Sequence, residues 1–268
     1  MRRALFTSTV AATVCFGAVL AGQSRDRTTV PTDCGDQGGG RREVYCEVRE
    51  QTLNGANPID VDTGGNGGIT IRGWDRGDVF MRARIVARAD TQADARAVAS
   101  AVRLDTAGGN IRAEGPRNDR DGNWSVTIDL QVPRNAILTL NTTNGGIVIS
   151  EVSGQVKLHT TNGGVSLNNV NGDIRGETRN GGLTINLSGD HWDGTGLDVE
   201  TRNGGINMTM PEHYSAALET GTVNGRISID FPVTVQGRIG RDLTTTLGAG
   251  GARIRAMTTN GGITIRRR

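Results

Sequence analysis

The sequence is poor in aromatic residues and in lysine. Its 268 residues include four Phe, three Trp and two Tyr, which excludes a large aromatic core. Lysine occurs once, and 30 basic residues against 28 acidic ones leave a formal net charge of only +2. This balance lacks the basic excess typical of nucleic-acid-binding proteins, and the few rings leave little to stack on single-stranded bases. We therefore expect no nucleic-acid partner.

Cysteine and histidine are also scarce, with three residues of each in the chain. The sequence shows no Ser-His-Asp order, no cysteine nucleophile with its base and no His-x-x-x-His pair. Its acidic residues are scattered, whereas a glycoside hydrolase needs two opposed carboxylates at a defined separation. We therefore predict a non-enzymatic protein with no catalytic residues, no metal and no cofactor. A polysaccharide lyase or hydrolase built on a β-helix is the enzyme alternative.

Residues 1–21 have the features of a Sec-type signal peptide. Met1, Arg2 and Arg3 form a short basic start, and the following stretch to Leu20 is apolar or small. A retained membrane anchor would need about 20 strongly apolar residues, and this stretch contains four Thr or Ser residues. We therefore expect an exported protein, in the periplasm or at the cell surface, without a transmembrane segment in the mature chain.

The cysteines fit an exported protein. Cys15 would leave with the signal peptide, so that Cys34 and Cys46 remain as a pair. In an oxidising compartment we expect them to form a disulfide, since two cysteines twelve residues apart with no nearby His do not make a zinc site. Residues 22–42 are Gly-rich and charged with almost nothing to bury, which predicts a flexible leader.

The dominant feature of the sequence is a repeat of the pattern Thr-x-Asn-Gly-Gly-apolar-polar-apolar. Its asparagines are separated by 18, 18, 23, 21 and 36 residues, and the last interval equals two units of 18 with a degenerate copy at 248–251. They are Asn144, Asn162, Asn180, Asn203, Asn224 and Asn260. Each unit contains two stretches that alternate apolar and polar residues, and Asn-Gly marks a tight turn between strands. One structural unit therefore takes about 18 residues.

The constant phase of the repeat favours an all-β protein built as a parallel β-solenoid, also called a β-helix. Coils of a solenoid stack at about 4.8 Å, so identical residues lie above one another. The six asparagines would then form an amide ladder at one corner, and the glycine pair would provide the bend without a Cβ clash. Apolar pairs such as Ile147 and Ile149 would point inward. An antiparallel meander or sandwich is the alternative, although nothing in it requires the repeat to return at a constant interval.

The repeat is weaker before residue 141. Asn66 begins a clear copy, and 108–111 is a poorer one. Between them, residues 90–103 have helical composition, and the stretch 124–133 is predicted to be a strand that ends at a proline. We therefore divide the mature chain into a leader at 22–42, an irregular β part with one short helix at 43–140 and a regular β-solenoid at 141–268.

These motifs resemble those of bacterial β-strand-repeat domains of unknown function that are classed as candidate adhesins, related to the head domains of candidate autotransporter adhesins. The matching parts are Gly68–Trp74, Val132–Pro133 and the Thr-x-Asn-Gly-Gly series, which together span about residues 43–266. The motifs are specific for an architecture, and that family offers no catalytic residues. The resemblance implies an exported, non-enzymatic β-solenoid.

The intervals of 23 and 21 residues predict a ligand patch. Insertions in a solenoid map to loops on one face, and both insertions fall about eight to twelve positions after their asparagine. They would bring together rings that stack on a sugar or peptide and carboxylates that accept hydrogen bonds or hold a metal. These residues are Asp190, His191, Trp192, Asp193, Glu212, His213 and Tyr214. The alternative is that the two insertions simply pack their rings on each other.

The sequence as a whole predicts an adhesin-like binding or scaffold module at the cell surface or in the periplasm. Its partner would be a surface glycan or protein that the sequence does not identify. A self-assembling structural protein of the envelope is the alternative, because stacked coils polymerise end to end when their caps are weak. Arg266, Arg267 and Arg268 would act as such a cap, since charge on the last coil stops other strands from adding to its edge.

Overall fold

A computed structural model describes Cys34 and residues 42–119, 122–232 and 240–268. The signal peptide predicted at 1–21 and most of the leader predicted at 22–42 lie outside the described residues. Within the described ranges the chain is mostly β structure, with one α-helix, α1 (Gln92–Ala101), and a short 3-10 turn (Ala107–Gly109). No helix of this part is long and apolar enough to cross a membrane.

Twenty strands lie within the described residues. Those of the amino-terminal part are β1 (Glu43–Leu53), β2 (Ile59–Asp62), β3 (Ile69–Trp74), β4 (Val79–Ala89), β5 (Arg103–Asp105), β6 (Asn110–Glu114) and β7 (Gly122–Pro133). The next strands are β8 (Ile137–Asn144), β9 (Ile147–Ser150), β10 (Gln155–Asn162), β11 (Val165–Asn168), β12 (Asp173–Asn180), β13 (Leu183–Asn186), β14 (Gly196–Asn203) and β15 (Ile206–Met210). The last are β16 (Ala216–Asn224), β17 (Ile227–Ile229), β18 (Asp242–Leu247), β19 (Arg253–Asn260) and β20 (Ile263–Arg267).

The strands form two sheets of ten strands each. The first sheet has the order β1-β4-β7-β3-β9-β11-β13-β15-β20-β17, and the second has the order β18-β16-β19-β14-β12-β10-β8-β2-β6-β5. Antiparallel pairs occur towards the ends of the sheets, namely β1 with β4, β4 with β7, β5 with β6 and β16 with β18. Between these ends the strands pair in parallel. Long parallel sheets exclude an antiparallel meander for the repeat region.

Parallel partners in the repeat carry the same position of the motif. β8 pairs with β10 and β10 with β12 so that Asn144, Asn162 and Asn180 are in line, each displaced from the last by one unit of the repeat. β14 continues the row with Asn203, although the interval from Asn180 to Asn203 is longer than the two before it. The additional residues of this interval lie between β13 and β14. The insertion therefore enlarges one connection without changing the phase of the next strand.

Each repeat strand buries one side and exposes the other. Ile147 and Ile149 of β9 are fully buried, whereas Val148 between them is 37% exposed. Buried side chains of both sheets belong to one hydrophobic cluster, in which Ile, Val, Leu and Ala predominate. Each fully buried Ile or Leu contributes about 1.5–3 kcal/mol by leaving water. Stacked aliphatic side chains therefore stabilise the fold where an aromatic core is missing.

At the amino-terminal end of the stack, coil-like pairing gives way to antiparallel pairing. β2 and β3 pair with β8 and β9, and Asn66 forms a parallel bridge to Asn144. β7 and β4 then extend the first sheet beyond β3, and β1 forms its edge. The phase of the repeat thus extends back to β2, which lies before the boundary predicted at residue 141.

Helix α1 packs on β1, β4 and β7. It begins after Thr91, whose hydroxyl oxygen accepts a hydrogen bond from the backbone N–H of Asp94 at 3.1 Å, a common way to cap a helix. Ala95 and Ala99 are its buried residues. The expected single helix is confirmed, and it covers residues 92–101 of the 90–103 predicted.

At the carboxy-terminal end the order of the coils in space differs from their order in the chain. β19 and β20 lie between the pair β14 and β15 and the pair β16 and β17. Asn260 therefore stands between Asn203 and Asn224. β18 pairs with the other side of β16 and forms the edge of the second sheet.

Two expectations about this end are therefore wrong. The tail Arg266–Arg268 does not cap the last coil, because β20 is an inner strand that pairs with β15 on one side and β17 on the other. Residues 248–251 are not a degenerate coil, because they form a turn between β18 and β19 with positive φ at Gly248, Gly250 and Gly251. The described residues of the long interval between Asn224 and Asn260 contain an antiparallel edge strand, β18, in place of a second coil.

Candidate functional site

The motif asparagines form one hydrogen-bonded row where the chain turns from the second sheet into the first. In all but Asn66, the side-chain nitrogen donates to the side-chain oxygen of an adjoining asparagine, at 2.7–2.9 Å. In spatial order the row is Asn66, Asn144, Asn162, Asn180, Asn203, Asn260 and Asn224. Since these amides largely satisfy one another, the row holds coils in register and offers little to a ligand.

The threonine and glycine of the motif have structural roles as well. The hydroxyl of Thr160 donates to the carbonyl oxygen of Gly145 at 2.9 Å, and Thr178 and Thr201 make the corresponding bond in the following coils. A Cβ at Gly163 would stand 2.0 Å from the carbonyl oxygen of Gly145, which no side chain tolerates. Stacking of neighbouring strands thus accounts for the Thr, the Asn and the first Gly of the motif, so these positions offer little to a ligand.

The two insertions predicted to form a ligand patch lie side by side. The backbone N–H of Ser215 donates to the carbonyl oxygen of Asp190 at 2.7 Å. His191 and Ser215 form an isolated parallel bridge. The structure therefore brings the neighbourhoods of both insertions to one edge of the stack.

The aromatic part of that predicted patch is wrong, because both rings are buried. Trp192 is 3% exposed and Tyr214 is 2% exposed, and both belong to the hydrophobic core. Trp192 Nε1 donates to the carbonyl oxygen of Gly172 at 3.0 Å. Burial, aided by the charge of Asp190, raises the pKa of Tyr214 to about 12. No ring of the two insertions is left to stack on a sugar or peptide.

The polar residues of the two insertions are exposed but do not converge. His191 Nδ1 lies 2.6 Å from Asp190 Oδ1, and this hydrogen bond lowers the pKa of Asp190. Asp193, Glu212 and His213 are exposed. Across residues 42–119, 122–232 and 240–268, no group of three or more His, Cys, Asp or Glu side chains is placed to hold a metal ion.

Cys34 and Cys46 form a disulfide, with their Cα atoms 6.0 Å apart. Cys46 lies in β1, which is one of the two edge strands of the first sheet. The bond therefore attaches the chain before the first strand to that edge.

A different surface gathers more reactive groups, namely the outer face of the second sheet. Outward-pointing residues of β10, β12, β14 and β19 line two adjoining open grooves of about 410 Å³ and 710 Å³. The strand register places Lys157 beside Arg175 and His159 beside Glu177. We call this surface the charged face and define it by Lys157, His159, Arg175, Glu177, Arg179, Asp198, Glu200, Arg202 and Arg255.

The carboxylates of the charged face are engaged by neighbouring basic side chains. Arg255 Nη1 lies 2.7 Å from Asp198 Oδ1 and 3.8 Å from Glu200 Oε2. The hydrogen bond with Asp198 raises the pKa of Arg255, which keeps the guanidinium charged. His159 Nδ1 lies 2.7 Å from Glu177 Oε1. Exposed pairs of this kind add about 0–1 kcal/mol each to stability, so their main effect is to position the acidic groups.

Three cations of the charged face, Lys157, Arg179 and Arg202, are exposed and have no such partner in the described chain. Arg179 and Arg202 are neighbours, because the residues on either side of them are paired between β12 and β14. Strands in a sheet are about 4.8 Å apart, so two arginine side chains without an ion-pair partner in the described chain leave the sheet at adjacent positions. Such a pair favours a planar anion such as a carboxylate, sulfate or phosphate.

The outer face of the first sheet is chemically different in the same coils. In the next outward row of this sheet, Asn186 Nδ2 donates to Asn168 Oδ1 at 2.7 Å. One row of outward side chains across the strands is entirely neutral. The row is Val148, Ser166, Thr184, Asn207 and Thr264. The charge of the middle coils is therefore concentrated on the second sheet.

No linear motif marks the charged face, so the pattern of the sequence does not predict it. Lys157 and Arg175 belong to successive units of the repeat, and so do Arg179 and Arg202. The feature of the sequence that indicates this face is the presence of charged residues at the variable positions of these units. Aligning the units by their asparagines would have placed these residues in adjacent strands.

A protein-family model described as Toastrack DUF4097 matches residues 75–266, which include the charged face. No curated protein matches the chain in sequence. Among solved structures, the chain is similar to a candidate cell adhesion protein from Clostridium sporogenes at 11% identity and a TM-score of 0.46, covering 84% of this chain and 100% of that one. A candidate adhesin from Bacteroides fragilis matches at 10% identity and a TM-score of 0.45, covering 84% and 97%. A candidate lipid-binding protein from Parabacteroides distasonis matches at 12% identity and a TM-score of 0.28, covering 83% and 96%.

Proposed function

The chain belongs to the Toastrack DUF4097 family, and we propose that it is an exported, non-enzymatic binding module of the cell envelope. It winds as a β-solenoid with one coil for each unit of the repeat, a proposal supported by the offsets between β8, β10 and β12. A signal peptide at 1–21 directs export, and the leader at 22–42 precedes the coils. The partner is a surface glycan that carries carboxylate or sulfate groups, and the adjacent unpaired guanidinium groups of the charged face carry this proposal.

The spacing of charges supports a linear anionic ligand. Each of four neighbouring strands supplies at least one cation, namely Lys157 on β10, Arg179 on β12, Arg202 on β14 and Arg255 on β19. Lys157, Arg175 and Arg255 lie in one row across the strands, and Arg179 with Arg202 lies in another, four positions further along. Because the strands are about 4.8 Å apart, a polymer that runs across them meets at least two cations in either row. Electrostatic attraction over such a surface increases the rate of association and falls with salt.

The remaining groups of the charged face favour a glycan over a nucleic acid. Glu177 and Glu200 are exposed acceptors that hydroxyl groups of a sugar can donate to. Among the residues that line the two grooves, none is Phe, Tyr or Trp, so bases would find no large ring to stack on.

Binding to immobilised alginate, a carboxylated polysaccharide, tests this proposal, with neutral dextran as the comparison. We expect retention on alginate that weakens as salt rises, and no retention on dextran. The double substitution Arg179→Gln with Arg202→Gln should weaken binding at least about tenfold, since two charge-assisted contacts contribute about 1.5–3 kcal/mol each.

The matched control removes two exposed arginines away from the charged face, Arg226→Gln with Arg266→Gln, and thus changes the net charge equally. We expect it to retain alginate binding. Equal losses in both double variants would mean that net charge, not the charged face, is responsible. Retention of an acidic protein but no carboxylated or sulfated polysaccharide would assign the face to a protein partner instead.

The location of the protein is tested by protease treatment of intact cells that carry a tag in the leader. Loss of the tag from intact cells would place the protein at the surface. Protection in intact cells with loss after lysis would place it in the periplasm and favour a scaffold of the envelope. Recovery of the tag in the cytoplasmic fraction would contradict export.

The non-enzymatic part of the proposal is tested with the same polysaccharide. Incubation with alginate should release no reducing or unsaturated ends, because the charged face shows no pair of opposed, unengaged carboxylates. Release of such ends would identify the protein as a polysaccharide-acting β-helix enzyme.

A further inference from the structure

The coil formed by β19 and β20 occupies a slot between two coils that are consecutive in the chain. On the second sheet β19 pairs in parallel with β14 on one side and β16 on the other. On the first sheet β20 pairs in parallel with β15 and β17. The segment that comes last in the described chain is therefore an inner layer of the stack.

The slot has two walls, β14–β15 and β16–β17. The motif positions of the two walls are in register with each other as well as with the inserted coil. Thr201 and Thr222 both align with Thr258, and Asn203 and Asn224 both align with Asn260. Ile206 and Ile227 likewise both align with Ile263 on the first sheet. Without the inserted coil, the two walls are therefore in phase to pair directly, which lowers the cost of leaving the slot empty.

The contacts that hold the inserted coil are those of the repeat. Its asparagine donates to Asn203 at 2.7 Å and accepts from Asn224 at 2.7 Å. Ile254, Ile263 and Ile265 are buried. Strand addition by main-chain bonds and alternate side chains is a general mode of recognition. None of these contacts depends on which copy of the chain supplies the coil.

The connection to the inserted coil has the features of a hinge. β18 lies on the far side of β16, so the chain passes over the end of β16 to reach the slot. The turn that does this contains Gly248, Gly250 and Gly251, all with positive φ. The backbone N–H of Ala249 donates to Ser215 Oγ at 3.2 Å. A short turn of this kind that opens delivers its strand to another copy.

We propose that the slot between β14–β15 and β16–β17 is an interaction surface for β19 and β20 of a second copy of this chain. Two copies exchange these segments reciprocally and form a dimer that repeats the contacts of the single chain. Only the turn at 248–251 changes its conformation. Because both forms make the same contacts within the slot, the dimer is favoured by high protein concentration.

A pair of engineered cysteines across the slot tests this proposal. Arg202 and Thr259 are neighbours on β14 and β19, because the residues on either side of them are paired. In the variant Arg202→Cys with Thr259→Cys, the new disulfide joins β14 to whichever copy supplies β19. The matched control is Arg179→Cys with Arg202→Cys, which joins β12 to β14 within one chain. Both carry Cys15→Ser, Cys34→Ser and Cys46→Ser so that no native thiol competes.

Each variant is held at high concentration in urea below its unfolding midpoint, returned to buffer, oxidised and run on a non-reducing gel. We expect the slot variant to give a product of twice the monomer mass that increases with protein concentration, and the control to give monomer alone. Monomer alone from both variants at every concentration would overturn the proposal. A dimer from both would show thiol contact between whole molecules and would also overturn it.

A second measurement avoids the substitutions. Two copies of the otherwise unchanged chain, each with a different tag, are mixed and treated in the same way. Strand exchange predicts that one tag co-purifies with the other, and that the complex persists after dilution into buffer without urea. Separate recovery of the two tags would contradict the proposal even if the cysteine variants did not fold.

Discussion

The middle of the stack and its carboxy-terminal end use the same motif but order it differently. From β8 to β15 each unit lies on the unit before it, and Asn180 donates to Asn162 at 2.8 Å. At the carboxy-terminal end, Asn224 makes the same bond at 2.7 Å to Asn260, which comes 36 residues later in the chain. The repeat therefore determines the phase of a coil but not its place in the stack.

The two regions also differ in how many neighbours support each strand. β13 in the middle pairs with strands on both sides, whereas β17 is the edge strand of the first sheet. Ile185 of β13 is fully buried, and Ile229 of β17 is half-buried. Substitutions at equivalent positions of the motif should thus lower the free energy of unfolding by different amounts. The following substitutions measure that difference.

The largest effect is expected at a turn glycine in the middle of the stack. In Gly163→Ala the new Cβ would meet the carbonyl oxygen of Gly145 at 2.0 Å, so the backbone of two coils must separate. We expect a loss above about 4 kcal/mol, the range of severe core disruptions. The control Gly77→Ala adds a methyl group where no atom lies within 4 Å. Urea unfolding of both variants checks the difference, and similar midpoints would contradict close stacking at this corner.

Truncation of equivalent isoleucines compares the middle with the edge directly. Ile185→Ala should cost about 2–5 kcal/mol, the range for a fully buried aliphatic side chain. Ile229→Ala should cost about 1 kcal/mol, because part of its surface already contacts water. Denaturant midpoints at a single pH measure both. A loss at Ile229 as large as that at Ile185 would indicate that another layer covers β17.

The phase of the coils was predictable because it depends on local pattern. Two apolar residues, such as Ile147 and Ile149, flank one outward position in every unit, and the Asn-Gly pair admits few backbone conformations. Stacking of Asn144 on Asn162 follows once parallel strands are assumed. The position of Asn260 was not predictable. By the motif alone, Asn203 could pair equally well with Asn224, the next motif asparagine in the chain, or with Asn260. Because every unit carries the same motif, the motif does not specify the order in which the units stack.

The candidate site was less predictable than the fold. Trp192 and Tyr214 stand in polar insertions, and nothing in their neighbours shows that the chain folds back to bury both rings. The charged face depends on contacts between residues such as Asp198 and Arg255, which are 57 positions apart. That pairing exists because β19 is inserted beside β14. A site that depends on the order of the coils could not be found before that order was known.

Loss of an asparagine side chain gives a smaller and graded effect. Asn180→Ala removes two amide hydrogen bonds, one to Asn162 and one from Asn203. Asn224→Ala removes one, to Asn260. Since a net hydrogen bond contributes about 0.5–1.5 kcal/mol, we expect about 1–2 kcal/mol for Asn180 and about half of that for Asn224. Equal losses from thermal or urea unfolding would mean that the bonds are not individually stabilising.

An effect that depends on pH is expected at the insertion edge, where the spacing of the coils is irregular. Burial raises the pKa of Tyr214 from 10.0 to about 12. The unfolded chain therefore loses this proton near pH 10, while the folded chain holds it until about pH 12. Stability from this group is complete below pH 10 and is lost as the pH rises towards 12. At pH 11 the loss should be about 1 kcal/mol.

Tyr214→Phe removes this pH dependence and keeps the buried ring. The variant still contains Tyr45, so alkaline effects elsewhere in the molecule are common to both proteins. Urea midpoints at pH 9 and pH 11 should therefore fall further for the unsubstituted chain than for the variant. Equal falls would show that the Tyr214 hydroxyl reaches water at no cost. The ring would then lie at the edge of the stack rather than in its core, and the two insertions would be available to a ligand after all.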